Sequence, residues 1–180
     1  MKYISTRGQT APMDFSEVLL MGLAPDGGLM LPEHYPNIDS ATLTEWRALS
    51  YPQLAMAIMQ RFATDIPAAD LQDIIERTYT AEVFGSDDIV PVRKLQDDLY
   101  ILGLSNGPTL AFKDVAMQFL GNAFEYVLKR KDARITIIGA TSGDTGSAAE
   151  YALRGKENIE VFMLSPHGKM SEFQRAQMYS

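Results

Sequence analysis

From Leu99 to Leu164 the chain alternates short apolar runs with stretches of helical period. Leu99 to Leu104 reads as a strand, as does Val90-Pro91-Val92 before it. Val115, Ala116, Phe119, Leu120, Ala123, Phe124, Val127 and Leu128 then recur at i, i+3, i+4 and i+7, the spacing of an amphipathic helix. That helix runs out among Lys129, Arg130 and Lys131, cations suited to a helix C-terminus. Residues 134–140 (Arg-Ile-Thr-Ile-Ile-Gly-Ala) read as a buried strand. A helix follows from Ser147 to Leu153, closed by Gly155, and Ile159 to Leu164 reads as a second buried strand. Strands joined by helical crossovers pair in parallel, and ligands gather at the C-terminal ends of such strands. The expected fold is therefore α/β, a parallel sheet with flanking helices.

The first half of the chain has a different pattern. Residues 2–5 suggest a short strand. Asp14 is placed to cap a helix through Phe15, Val18, Leu19 and Leu20 that ends near Gly22. Ala24-Pro25-Asp26-Gly27-Gly28 is a turn, and Leu29 to Pro32 a short apolar segment. Thr42 with Glu45 offers a capping box for a helix reaching Leu49. A second helix starts at Ser50-Tyr51-Pro52, and a third runs from Pro67 through Leu71, Ile74, Ile75 and Tyr79 to Phe84. Their Met- and Leu-rich stripes read as core packing. Gly85-Ser86-Asp87-Asp88 marks a boundary, so residues 1–87 are expected to form a mainly helical subdomain and residues 88–180 the α/β domain. No catalytic cluster precedes residue 88.

Composition narrows the functional classes. The net charge of −7 comes with no basic cluster, which argues against nucleic acid and anionic membrane surfaces as partners. The 46% hydrophobic content is ordinary for a soluble domain, and no apolar run approaches the roughly 20 residues of a membrane span. There is no cysteine, and His34 and His167 lie far apart beside prolines or glycines, so no metal site is expected. With no signal-peptide pattern at Met1 to Arg7, a cytoplasmic location is expected.

The chemistry gathers at two loops. Lys113, in Gly107-Pro108-Thr109-Leu110-Ala111-Phe112-Lys113-Asp114, opens the long helix. Seven residues at about 100° each place it nearly in line with Leu120, flanked by Ala116 and Phe124. A lysine facing a core, in a first turn whose dipole disfavours a cation, is a candidate amine nucleophile. The bland alternative is a lysine whose stem snorkels to water. Thr141-Ser142-Gly143-Asp144-Thr145-Gly146 lies between a strand and a helix N-terminus, where free N–H groups suit a carboxylate or phosphate. It could pass for a dinucleotide loop, but the next strand ends Met163-Leu164-Ser165 without the acid that a ribose requires, and Asp144 would repel a pyrophosphate. A plain strand-to-helix turn is the remaining alternative.

Together these segments resemble a known family. Gly107 to Asp114 (GPTLAFKD) and Thr141 to Gly146 (TSGDTG) are similar to the two hallmark segments of threonine synthases, which belong to the fold-type-II enzymes dependent on pyridoxal 5'-phosphate (PLP). Tyr3 to Gly8 (YISTRG) and Gly22 to Leu29 (GLAPDGGL) match the family's opening. Ser165 to Met178 resembles its Pro-x-Gly-Lys, Ser, Gln-x-x-Gln-Met pattern. The lysine motif alone would indicate only the wider family of serine and threonine dehydratases, synthases and phospholyases. Many members carry an acidic residue and a histidine where this chain has Gly103 and Asn106, so no role is carried over there.

The resemblance implies a tryptophan-synthase-β-like domain and conversion of O-phospho-L-homoserine and water to L-threonine and phosphate. It implies that Lys113 bonds PLP and moves protons on the substrate, and that Thr141, Ser142, Gly143, Asp144 and Thr145 bind the substrate's anionic groups. The role of Asp144 is left open by it. Ser105, Asn106 and Thr109 line the turn before Lys113, where they could reach the site or simply stabilise the turn. Complete members are longer, so the chain is expected to correspond to an N-terminal portion, inactive or a mere scaffold by itself. Exposed sheet edges and apolar surface would favour a homodimer.

Overall fold

A computed structural model describes residues 1–179. The chain separates into two compact units, Met1–Glu76 and the residues from Arg77 onward.

In the first unit β1 (Tyr3–Ser5) pairs antiparallel with β2 (Met30–Pro32), Ile4 opposite Leu31. The two loops beyond these strands are tied by Asp26. Its Oδ1 accepts from Ser5 Oγ at 2.7 Å and from Gly28 N at 2.9 Å, and its Oδ2 accepts from Gln9 N at 3.0 Å. Arg7 Nη1 donates to the Asp26 carbonyl at 3.0 Å. Helix α1 (Phe15–Met21) starts at Asp14, whose N–H donates to Glu17 Oε2 at 3.1 Å, and stops at Gly22, φ 74°. Helix α2 (Ser40–Trp46) is capped by Asp39 and not by Thr42. Thr42 is three residues inside, where its own N–H is an orphan donor, and the Asp39 carboxylate accepts from it at 2.8 Å. Ser50 caps α3 (Tyr51–Met59) in a capping box with Gln53.

Helix α4 (Ala68–Thr78) buries Leu71, Ile74 and Ile75. The continuous helix expected from Pro67 to Phe84 is in fact two. Thr80 is extended, φ −120° and ψ 155°, and its hydroxyl caps the short α5 (Ala81–Phe84) by accepting from Val83 N. Thr80 is a better cap than interior residue, so the chain leaves and re-enters the helical state there.

The second unit begins with a hairpin, β3 (Val92–Gln96) and β4 (Leu99–Leu102), turning at Asp97-Asp98. The first strand starts at Val92 because Pro91 has no N–H to give a ladder. There follow α6 (Asp114–Lys131), β5 (Ile135–Ala140), α7 (Asp144–Leu153), β6 (Ile159–Leu164) and α8 (Glu172–Tyr179). The strands β5 and β6 pair in parallel from Ile135 opposite Ile159 to Ala140 opposite Leu164. The chain is thus α/β with small sheets. Helices α6 and α7 pack on one another, and Phe119, Ala123, Val127, Leu128, Ala148, Ala152 and Leu153 are buried.

The expectation that β5 and β6 are buried strands is not met. Both alternate half-buried and exposed residues, with Ile138 73% and Phe162 57% exposed. The pair forms a sheet of two strands with apolar residues on both faces, and one of those faces is open to solvent.

Candidate functional site

The loop from Gly107 to Lys113 is built around Asp114, the first residue of α6. Asp114 is fully buried. Its Oδ2 accepts from the Thr109 N–H at 2.9 Å and its Oδ1 from the Thr109 hydroxyl at 2.7 Å. Thr109 is buried as well, so neither partner has water to turn to. Leu110 N donates to Gly107 O at 3.0 Å, and Leu110 sits at φ 63°, a left-handed conformation rare for a leucine. A side chain at Gly107 would collide with the Asp114 carboxylate, so only glycine lets the loop wrap it.

Lys113 is the N-cap of α6, half-buried, with φ −67° and ψ −19°. Its Nζ lies 4.3 Å from the centre of the exposed Phe112 ring. It does not point into the core as its helical phase suggested. Ala116 is exposed and Leu120 and Phe124 half-buried, so the buried stripe of α6 is a different one, through Phe119, Ala123 and Val127. Lys113 therefore sits half-buried at the helix start, its amine over the exposed Phe112 ring.

The second loop follows β5. Thr141 N donates to Leu164 O at 2.9 Å, which continues the parallel ladder into the loop. Thr141 Oγ1 accepts from Gly146 N at 3.1 Å and from Gly143 N at 3.3 Å. Gly143 and Gly146 are buried, while Ser142, Asp144 and Thr145 are exposed. A Cβ on Gly146 would strike the Thr141 side chain. With Gly143 and Gly146 consumed inside the loop, the N–H groups of Ser142, Asp144 and Thr145 have no acceptor among the described residues. They stand at the positive end of α7, a site for an anion.

Helix α8 connects the two loops. Gln177 donates from Nε2 to the carbonyl of Thr109, and the Gln174 side chain lies where a Cβ on Gly143 would go. The two glutamines are spaced i, i+3 on one helix face. Gln177 is hydrogen-bonded to the lysine loop, while Gln174, whose Oε1 accepts from Ser171 N and Oγ at 3.2 Å, packs closely on Gly143 of the glycine loop. Their spacing was visible in the sequence, but nothing there said what they would touch. Asn106 reaches back to the carbonyl of Asp88 at 3.3 Å, a bond that serves the turn. A cavity of about 740 Å³ between the Thr109 loop, α7 and α8 is walled by Leu110, Glu150, Tyr151 and Phe173. Burial raises the Glu150 carboxyl above its usual range. Lys113 and Thr141 to Thr145 do not line that cavity.

Among the described residues no helix is long and apolar enough to cross a membrane. The family model of the threonine synthase N terminus matches residues 2–79. Threonine synthase from Methylobacillus glycogenes is 60% identical over 187 residues, an alignment covering 100% of this chain and 39% of that protein. Its counterpart from Saccharomyces cerevisiae is 47% identical, with 98% of this chain and 37% of the relative covered. A crystal structure of PLP-bound threonine synthase from Brucella melitensis superposes with a TM-score of 0.94 at 44% identity, over 99% of this chain and 38% of that one. The chain spans about two fifths of the length of the relatives it matches.

Proposed function

We propose that this chain, which matches the N-terminal part of threonine synthases, carries the cofactor lysine and an anion-binding loop for conversion of O-phospho-L-homoserine and water to L-threonine and phosphate. The observation that carries the reading is the pairing of two loops by one helix. Lys113 stands at the start of α6, and the N–H groups of Ser142, Asp144 and Thr145, without an acceptor among the described residues, at the start of α7; in α8 Gln177 is bonded to the first loop and Gln174 packs on the second.

The residues present fit PLP. An amine lies beside an aromatic ring, and a helix N-terminus with no acceptor among the described residues lies in the same unit. When bound, PLP supplies an electron sink for negative charge developing on substrate carbons. Lys113 Nζ would hold the cofactor, then take and return protons at the substrate's carbon atoms. The N–H groups of Ser142, Asp144 and Thr145 would fix the substrate's carboxylate or phosphate, helped by the α7 dipole and the hydroxyls of Ser142 and Thr145. Thr141 and Gly143 would shape that loop, Thr141 by taking the inward N–H groups onto its hydroxyl. The fold-type-II architecture and the helical N-terminal subdomain of that family, a cytoplasmic location and a homodimer are parts of the same reading.

The test uses a chimera in which this chain replaces the matching segment of the Methylobacillus glycogenes enzyme. Release of phosphate and threonine from O-phosphohomoserine is expected, with Lys113→Ala slower by on the order of 10³-fold or more. Borohydride reduction in the presence of PLP, followed by peptide mapping, should mark Lys113. A marked lysine elsewhere, or an active Lys113→Ala chimera, refutes the assignment.

A further inference from the structure

We propose that Asp114 is a positioning residue, its buried carboxylate clamping Thr109 so that the Gly107–Lys113 loop presents the Lys113 amine in one place. The proposal rests on the reading of Lys113 given above. Asp114 and Lys113 are adjacent in the chain, but they face opposite ways. Asp114 is wholly buried and Lys113 half-exposed over Phe112. The carboxylate therefore acts on the lysine through the loop and does not touch what the lysine touches.

Three observations show that the clamp determines the loop's shape. Both Asp114 oxygens are used by one residue, Oδ2 by the Thr109 N–H at 2.9 Å and Oδ1 by its hydroxyl at 2.7 Å. Leu110, next in the chain, is held at φ 63° with its side chain 57% exposed, so its own packing does not impose that conformation. Gly107 lies so close to the carboxylate that no side chain fits between them. The loop is wrapped on the acid from both ends, and its last residue is the lysine. The Asp114 N–H also donates to Ala111 O at 3.0 Å, which closes the turn that carries Phe112 and Lys113. A carboxylate in the first turn of α6 is favoured by the helix dipole as well.

Release of the clamp should free the amine from the Phe112 ring without disturbing the far end of the helix. The experiment is trace acetylation of every lysine by acetic anhydride, read by mass spectrometry, for the wild type, Asp114→Asn, Thr109→Val and Thr109→Ser. Thr109→Val removes only the hydroxyl bond at nearly constant shape, and Thr109→Ser retains it. Acetylation of Lys113 is expected to rise several-fold in Asp114→Asn and Thr109→Val, with Lys94, Lys129 and Lys156 unchanged and Thr109→Ser like the wild type. A purely structural role would lower thermal stability while Lys113 kept its wild-type rate, and that result overturns the proposal. A rise shared by all lysines, which signals unfolding, overturns it too. In a parallel arm, run in the Methylobacillus glycogenes chimera, PLP with borohydride should mark Lys113 several-fold less in Thr109→Val than in the wild type. Failure of the wild type to be marked at all refutes the reading of Lys113, while the acetylation rates still decide the clamp.

Discussion

Gly121, in the middle of α6, should be intolerant of alanine although alanine is the better helix former. On propensity alone Gly121→Ala would stabilise the helix by about 0.5–1 kcal/mol. The structure opposes this with a close helix crossing. A Cβ built on Gly121 overlaps the carbonyl oxygen of Ala152 in α7 and comes 3.0 Å from its carbonyl carbon. Both residues lie among fully packed neighbours, Ala123 and Ala148 being completely buried. The obstacle is backbone, so no side chain can rotate away, and α6 and α7 must separate. Overpacking of this sort costs about 1–3 kcal/mol. With the propensity gain subtracted from the middle of that range, the variant should be about 1 kcal/mol less stable, at roughly 2–4 °C of melting temperature per kcal/mol. The assay is urea unfolding followed by far-UV circular dichroism, with the slope compared as well as the midpoint. Trimming the neighbour in Gly121→Ala/Ala152→Gly should bring no rescue, because the clash is with the carbonyl. A Gly121→Ala protein as stable as the wild type would falsify the reasoning, as would full rescue by the second change.

Three further outcomes follow from other parts of the chain. Burial of Asp26 works against its charge, but the bonds from Ser5, Gly28 and Gln9 outweigh it and hold its carboxyl down at about 2, below the ordinary 3.8. A depressed acid contributes stability that is complete above the unfolded value and lost as pH falls toward the folded one, so Asp26→Asn should flatten the acid limb of unfolding between about 4 and 2. Asn122 is buried, donates to Thr78 Oγ1 at 2.9 Å and accepts from Lys156 Nζ at 2.5 Å. Asn122→Ala should therefore cost about 1–3 kcal/mol by urea unfolding, and an unchanged midpoint would show that water replaces the amide at no cost. Ile138 and Phe162 face each other across the open side of the parallel pair, so Ile138→Thr with Phe162→Thr should reduce self-association in sedimentation velocity. Association unchanged by the pair would place the contact elsewhere.

Much of the chain was legible because its signals are local. The cap at Asp14 and the restart at Ser50 depend on a side chain reaching an N–H two or three residues away. The parallel pair 135–140 and 159–164 follows from two apolar runs separated by a helix and its turns. Local rules failed where two of them competed. Both Asp39 and Thr42 could cap α2, and only the backbone geometry chose the carboxylate. Thr80 lies inside a run of helical periodicity, and its preference for a cap divided the run.

The two loops were recognisable as lysine and glycine motifs from sequence alone, since each is a contiguous segment at a helix start. Their relation was not. Helical phase placed Lys113 in line with Leu120, but phase says nothing of which stripe the tertiary structure buries: Phe119, Ala123 and Val127 are buried, and Gly121 is where α6 meets α7. Residues 135–140 are apolar on both faces and read as buried, whereas burial requires a partner for each face, and one face is exposed among the described residues. Sequence by itself determined the elements, their order and the chemical groups available, because these depend on neighbours within a few residues. Only the tertiary structure decided that the Asp114 carboxylate turns inward to hold Thr109, that the Lys113 amine lies over the Phe112 ring, and that Gln177 meets the lysine loop and Gln174 the glycine loop. Those contacts join side chains by direction in space, and direction is set by packing between elements.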